Sequence, residues 1–257
     1  MHKTVLDKNV GKKQLEELYV KYNRREFVHP DPLEFLYGYP EIQDREIVGL
    51  IASCLAYGRV FQILKSVKKV LEQIEEPAKF IQKGSQGKFE KVFADFKHRF
   101  TTGREMAMLF TGIKNVLEQY GSLNRCFLAG MREKDRTVYE AQTEFSRKLL
   151  MGCGRNSLLP LPEGKSACKR LNLYLRWMVR RDQVDIGGWQ GISAGKLIVP
   201  LDTHMHRISI VMGFTRRKQA DARTALEITE SFRRFAPRDA VKYDFALTRL
   251  GIRKNLD

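Results

Sequence analysis

An aspartate stands where an extended apolar stretch meets the predicted start of a helix. Residues 197–201 read Leu-Ile-Val-Pro-Leu, and Pro200 disfavours helical backbone at Val199. Asp202 follows, and apolar residues then recur at helical spacing as far as Gly213. The pattern predicts that Asp202 caps this helix by accepting hydrogen bonds from first-turn amides. A carboxylate fixed at such a helix end is also well placed to stabilise a cation beside it.

A second stretch whose residues could take part in binding or catalysis lies before the first in the chain. Residues 157–167 form a turn rich in Pro and Gly, and a helix is predicted to follow it. One face of that helix is apolar, whereas another carries polar and basic residues at i, i+3, i+7 and i+11, namely Lys169, Asn172, Arg176 and Arg180. A basic helix face beside a turn favours a polyanionic ligand, although most helix lysines are simply solvated.

The aspartate stretch resembles the motif of a known enzyme superfamily. Pro-Leu-Asp-Thr-His at 200–204, followed by Arg207, is similar to the helix-hairpin-helix DNA glycosylase motif, in which a Gly/Pro-rich loop leads to Val-Asp-Thr-His and then an arginine. More closely, the whole chain resembles a bacterial family of unassigned function related to those glycosylases. The resemblance implies that Asp202 is catalytic and that His204 and Arg207 contact DNA.

The turn at 157–167, with its flanking helices, looks like the hairpin of the same superfamily. That hairpin offers backbone amides to a DNA phosphate, and the next helix adds its positive N-terminal dipole. The resemblance implies DNA contacts at Gly164, Lys165, Arg170 and Arg176. The chain departs from the family pattern here, because Leu-Pro-Glu-Gly at 161–164 replaces the usual Leu-Pro-Gly-Val-Gly.

The resemblance also implies a lysine nucleophile, for which the chain offers two candidates. Bifunctional glycosylases use a lysine of this helix together with the aspartate. Lys169 precedes Asp202 by 33 residues, a spacing similar to the archaeal 8-oxoguanine DNA glycosylase branch. Lys165, within Gly-Lys-Ser-Ala at 164–167, is locally similar to the endonuclease III branch instead. We prefer Lys169, because its neighbours are already helical and its face is the basic one.

The turn at Ala56-Tyr57-Gly58-Arg59 joins two predicted core helices and places an aromatic ring next to an arginine. One interpretation is a helix C-cap with Tyr57 partly buried. The other is a DNA-facing loop, because a base that leaves the duplex leaves a gap that a side chain must fill. The corresponding loop of the glycosylases carries such a wedge residue, so Tyr57 and Arg59 are candidate DNA contacts.

Charge and composition favour a nucleic-acid partner. The 257 residues include 46 Lys and Arg against 30 Asp and Glu, which gives a net charge of +16. No apolar run approaches the roughly 20 residues of a membrane span, and the N-terminal residues do not resemble a signal peptide. We therefore expect a monomer that binds double-stranded DNA, does not contact a membrane, and resides in the cytoplasm at the nucleoid.

The four cysteines predict neither a metal site nor disulfides. Cys54, Cys126, Cys153 and Cys168 lie far apart, and none belongs to a Cys-x-x-Cys pair. Some glycosylases of the superfamily hold an iron–sulfur cluster through four cysteines near the C-terminus, but this chain has none after Cys168. We expect no iron–sulfur cluster, no zinc and no other cofactor.

Almost every segment has helical periodicity, including 60–75, 222–235 and 239–250, and this predicts an all-α fold. We expect two helical lobes with a helix-hairpin-helix element and a cleft between the lobes. The predicted first lobe is a helical barrel over 41–181 that ends in the hairpin. Residues 1–40 and 182–257 would form the second lobe, which carries Asp202. The stretch 197–201 is the only extended candidate, and Trp189 more often plugs a core than walls a base pocket in such a loop.

Together these features predict a base-excision DNA glycosylase. Cleavage of a base from deoxyribose builds positive charge on the sugar, which Asp202 would stabilise. As the resemblance implies, an amine that attacks C1′ would give a Schiff base and then strand cleavage by β-elimination. Oxidised guanine is the leading substrate. The alternatives are a non-catalytic DNA-binding module of the same fold and a related enzyme that acts on RNA.

Overall fold

The computed structural model describes residues 11–152, 154, 156–162 and 166–253, and these residues are mostly helical, which confirms the all-α prediction. Short 3-10 helices at Arg25–Phe27, Pro32–Gly38 and Ala194–Lys196 accompany the longer ones. The α-helices of the described residues are α1 (Lys12–Tyr22), α2 (Ile42–Cys54), α3 (Val60–Leu71), α4 (Pro77–Gln82), α5 (Gln86–Val92), α6 (Gly103–Tyr120), α7 (Leu123–Leu128), α8 (Tyr139–Leu150), α9 (Lys169–Val179), α10 (Thr203–Val211), α11 (Ala222–Phe235) and α12 (Asp244–Arg253).

A small antiparallel hairpin interrupts the helices. Strand β1 (Lys97–His98) pairs with β2 (Thr101–Thr102), so that His98 faces Thr101 across the ladder. The sequence does not predict this hairpin, because two-residue strands are too short to show a period of two. The expected extended segment at 197–201 is present as irregular backbone outside any strand.

Several helices begin directly after a residue whose side chain accepts a hydrogen bond from an amide of the first turn. Asp31 accepts a hydrogen bond from the amide of Leu33 at 3.0 Å and starts the second 3-10 helix. Helix α11 spans the predicted residues 222–235, capped by Asp221 through the amide of Thr224. The predicted helix at 60–75 ends earlier, at Leu71, and the predicted helix from 239 begins only at 244.

Helix α2 lies at the centre of the packing and holds one carboxylate out of solvent. It packs against α9 and the 3-10 helix 32–38. Its Glu46 is buried, and it accepts hydrogen bonds from the amide of Leu123 (2.9 Å), the amide of Asn124 (3.1 Å) and the indole of Trp189 (3.0 Å). Trp189 therefore plugs the core, in agreement with the favoured prediction.

The remaining helices pack around α6 and around α12. Helix α6 contacts α5, α7 and α8, whereas α12 contacts α1 and α10. The buried apolar side chains of both groups form one continuous cluster. Division into lobes 41–181 and 1–40 plus 182–257 stays a prediction, as does the helix-hairpin-helix, part of which lies outside the described residues. No helix in the described ranges has the length and apolar character to cross a membrane.

Candidate active site

The two residues that the sequence analysis ranked as catalytic lie next to each other. Lys169 Nζ is 3.1 Å from Asp202 Oδ2, although 33 residues separate them along the chain. The lysine side chain is 34% exposed and the aspartate side chain 24% exposed, so a substrate could reach both. An ion pair this exposed contributes at most about 1 kcal/mol to stability, so stability alone does not account for the arrangement.

Two helix N-termini position the pair. Lys169 is the first residue of α9 and follows Cys168, whose φ of 46° bends the chain into the helix. Asp202 is the N-cap of α10, and its Oδ1 accepts a hydrogen bond from the Met205 amide at 2.8 Å. One carboxylate oxygen is thus held by the helix while the other faces the lysine. Both helix ends carry partial positive charge, which favours an anion here.

Arg170, next to Lys169, donates hydrogen bonds to two backbone carbonyls. Its guanidinium donates to the carbonyl of Cys54 at 2.9 Å and to the carbonyl of Ser157 at 2.7 Å. The same group lies 5.1 Å from the ring centroid of Tyr57. These donors hold the end of α2 to the turn that precedes α9, and the DNA contact of Arg170 stays a prediction.

An exposed arginine and an exposed aromatic ring both lie at the Tyr57 loop, but the exposed ring does not belong to Tyr57. Arg59 is exposed at the start of α3, as expected of a DNA contact. Tyr57 is half-buried; its hydroxyl donates to the carbonyl of His98 at 2.9 Å and lies 2.6 Å from Thr101 Oγ1. The exposed ring is that of Phe100, which stacks on Tyr57 at 5.0 Å and is 63% exposed. The sequence analysis missed Phe100 because it missed the hairpin.

A family model described as "Protein of unknown function (DUF2400)" matches residues 31–253. The chain belongs to this family. No curated protein and no solved structure matches the chain. The matched range contains Lys169, Asp202 and the β1–β2 hairpin, so the candidate site lies within the DUF2400 region.

In this DUF2400 protein the predicted basic face of α9 is buried beyond Lys169. Arg176 is 3% exposed and pairs with Asp185 at 3.2 Å and with Asp244. Burial alone would lower the pKa of Arg176, but the two carboxylates outweigh it and hold the pKa above its usual value. Arg180 is buried in the same network. The prediction that Arg176 contacts DNA is wrong, because its guanidinium is enclosed and its charge is neutralised.

The other predicted DNA contacts of the DUF2400 region fall into two groups. His204 and Arg207 are exposed on the first two turns of α10, beside Asp202. Gly164 and Lys165 lie outside the described residues, so their contacts stay predictions. Beyond α10, Arg216 is exposed, whereas Arg217 is held by Asp221 at 2.7 Å.

A narrow cavity adjoins the start of α9. Its volume is about 10 Å³, no more than one water molecule needs, and its lining includes Cys168 and Ile198. Two buried amides meet there, with Gln142 Nε2 donating to Asn172 Oδ1 at 2.5 Å. The sequence analysis did not single out Gln142, because nothing local distinguishes it from other polar residues of α8.

The cysteine thiols that the structure describes are all buried. Burial raises the pKa of the Cys168 thiol to about 11, so it is not a reactive thiolate although it precedes Lys169. Cys54 and Cys126 are also buried. Within the described ranges, no three His, Cys, Asp or Glu side chains are grouped to hold a metal ion. Cys153 lies outside those ranges.

Proposed function

We propose that this protein is a base-excision DNA glycosylase with β-lyase activity, in which Lys169 is the nucleophile and Asp202 the stabilising carboxylate. The observation that carries the proposal is the 3.1 Å contact between Lys169 Nζ and Asp202 Oδ2 in a solvent-accessible position. The superfamily resemblance predicts this pair from sequence. The net charge of +16 supports double-stranded DNA as the partner of a monomeric, nucleoid-associated protein.

Asp202 would act first through its charge. As the bond between the base and C1′ lengthens, positive charge develops on the deoxyribose. A carboxylate whose position is already fixed stabilises that charge without reorganising. The Met205 amide fixes Oδ1 of Asp202, and Oδ2 is free to face the sugar once Lys169 moves toward C1′.

Lys169 would then form the covalent intermediate. Its ammonium passes one proton to the departing base, with Asp202 as the relay, and the amine nitrogen bonds to C1′ as the base leaves with its electron pair. Ring opening at O4′, which takes up a second proton from nitrogen, gives a protonated Schiff base. Loss of a C2′ proton then expels the 3′-phosphate, which is the β-elimination step.

The substrate we propose is an oxidised purine, 8-oxoguanine first, turned out of the duplex. Extrusion costs least at a damaged or mispaired base, which itself contributes selectivity. Exposed Arg59, His204 and Arg207 would bind the backbone on either side.

Borohydride trapping on duplexes that each carry one lesion tests this proposal. The wild type should give a covalent protein–DNA adduct and cleave the strand on at least one lesion. Lys169→Gln should abolish the adduct, and Asp202→Asn should reduce base release by several orders of magnitude while its side-chain oxygen keeps the helix cap. Both variants should fold and bind DNA as the wild type does.

Lys165→Gln is the matched control, because it removes an amine from the same segment. It should leave trapping intact, and loss of trapping in this variant alone would transfer the nucleophile to Lys165. Base release without any adduct would make the enzyme monofunctional. An absence of both activities on every DNA lesion, with DNA binding retained, would instead favour the non-catalytic module.

A further inference from the structure

A cavity of about 640 Å³ lies between helices α2, α4 and α6. Its floor is apolar, with Ile47 and Ile81 fully buried and Ala78 and Leu117 half-buried. The cavity is open to solvent on one side, and its volume falls in the range of roughly 300–1,000 Å³ that is usual for sites of small organic molecules. A small molecule with an apolar part therefore fits this space.

The rim of the cavity carries positive charge that the protein does not fully neutralise. Glu118 pairs with Lys114 at 3.1 Å, and Glu76 pairs with Lys79 at 2.6 Å. Lys83 is exposed on the same rim, and the described residues offer it no ion-pair partner. One ammonium at the edge of an apolar floor is thus left to attract an anionic group.

The walls of the cavity are held together by hydrogen bonds that leave Lys83 unused. Asp44 of α2 accepts the amide of Ala78 at 2.8 Å, which joins α2 to the first turn of α4. Lys114 of α6 donates to the carbonyl of Gln82 at 2.9 Å, which joins α6 to the end of α4. Because both neighbouring helices are tied to α4, the cavity has its shape before any ligand binds, and less ordering opposes binding.

The cavity is separate from the candidate active site. It adjoins the first turns of α2 through Gln43 and Ile47. The opposite end of α2 carries Cys54, whose carbonyl accepts the guanidinium of Arg170 next to Lys169. A ligand in the cavity would therefore occupy a second site, and its binding does not rest on the proposed function.

We propose that this cavity binds a small organic anion that has one acidic group, with its apolar part over Ala78 and Leu117 and its carboxylate paired with Lys83. The apolar floor removes the hydrocarbon part from water. A neutral hydrocarbon would leave Lys83 unpaired, and an inorganic anion would leave the apolar floor in contact with water. A carboxylate on a hydrocarbon chain or ring satisfies both features.

Displacement of the fluorescent probe anilinonaphthalene sulfonate by decanoate, with decanol as its neutral analogue, tests the proposal. The folded wild type should bind the probe saturably and release it to decanoate below the concentration at which decanoate forms micelles. Lys83→Gln should weaken decanoate binding roughly 5-fold, the effect of one partly exposed ion pair, and should leave decanol binding unchanged. Ala78→Leu should weaken the binding of both, because its added atoms occupy the space above the floor. Circular dichroism checks that both variants are folded.

Lys91→Gln is the matched control, because Lys91 is an exposed lysine of α5 outside the cavity and the substitution changes the net charge equally. It should keep the wild-type affinity for decanoate. Absence of decanoate binding, equal losses in Lys83→Gln and Lys91→Gln, or unchanged affinity in a folded Ala78→Leu would each overturn the proposal. Displacement by phosphatidylglycerol vesicles but not by decanoate would overturn it in favour of a membrane surface. None of these measurements involves DNA, so a failure here and a failure of the glycosylase are distinguishable.

Discussion

At the scale of single residues, the two oxygens of Asp202 have different partners. Oδ1 accepts the Met205 amide and caps α10, whereas Oδ2 contacts Lys169 Nζ. Capping chemistry is local, so the sequence predicted the first contact directly. The second contact joins two segments 33 residues apart, and only the superfamily resemblance predicted it.

The buried Arg176–Asp244 pair makes stability depend on pH. Burial raises the pKa of Asp244 from 3.8 to about 6, despite the opposing charge of Arg176. Since the folded state holds this proton more tightly than the unfolded state, the contribution to stability is full below pH 3.8 and is lost as pH rises through 6.

Asp244→Asn removes the carboxyl group that takes up this proton. A comparison of the wild type with this variant therefore isolates the contribution of Asp244 to the pH dependence of stability. We expect the free energy of unfolding of the wild type, relative to this variant, to increase by about 1 kcal/mol between pH 7 and pH 5. Urea denaturation at both pH values measures the difference. A difference that stays constant, or shrinks at pH 5, would contradict the raised pKa of Asp244.

At the scale of elements, helices were predictable and the hairpin was not. Helix α11 appears at its predicted residues because its apolar spacing and its Asp221 cap are both local. The hairpin at 97–102 depends on Tyr57, Ser66 and Ser157, which come from three other segments. Nothing within its own six residues could indicate those anchors.

Helix packing at Gly112 should be intolerant of any side chain. A Cβ at this position of α6 would lie 2.0 Å from the backbone oxygen of Leu149 in α8. Gly112→Ala should therefore lower the free energy of unfolding by roughly 1–3 kcal/mol through overpacking. Thermal or urea denaturation monitored by circular dichroism measures this.

Gly87→Ala is the contrasting substitution. Gly87 lies exposed in α5, and a Cβ there meets nothing within 4 Å. Because alanine favours helix over glycine, this variant should be more stable by roughly 0.5–1 kcal/mol. If Gly112→Ala were stabilising as well, helix propensity rather than the α6–α8 contact would decide the outcome at Gly112.

At the scale of the whole molecule, the net charge could be predicted from the sequence, but the positions of the exposed charges could not. The periodic basic face of α9 was predicted to meet DNA, yet Arg176 and Arg180 are buried. Arg176 pairs with Asp185 and the distant Asp244, and Arg180 pairs with Asp185 and the distant Asp239. Helical spacing does not reveal such long-range neutralisation. The charges that remain exposed near the pair lie on loops and helix starts.

Those exposed charges should make DNA binding strongly dependent on salt. If Arg59, Arg99, Arg207 and Arg216 each neutralise one phosphate, counterion release predicts a slope of about −3.6 in log K against log salt. Affinity for an intact duplex should then fall roughly 100-fold between 50 and 200 mM salt, measured by fluorescence anisotropy.

The double variant Arg59→Gln, Arg207→Gln should reduce the slope by about 2. Lys79→Gln serves as the control because Glu76 already neutralises Lys79 at 2.6 Å, so it should leave the slope unchanged. An affinity that stays flat with salt would reject DNA as the partner, whatever the catalytic result.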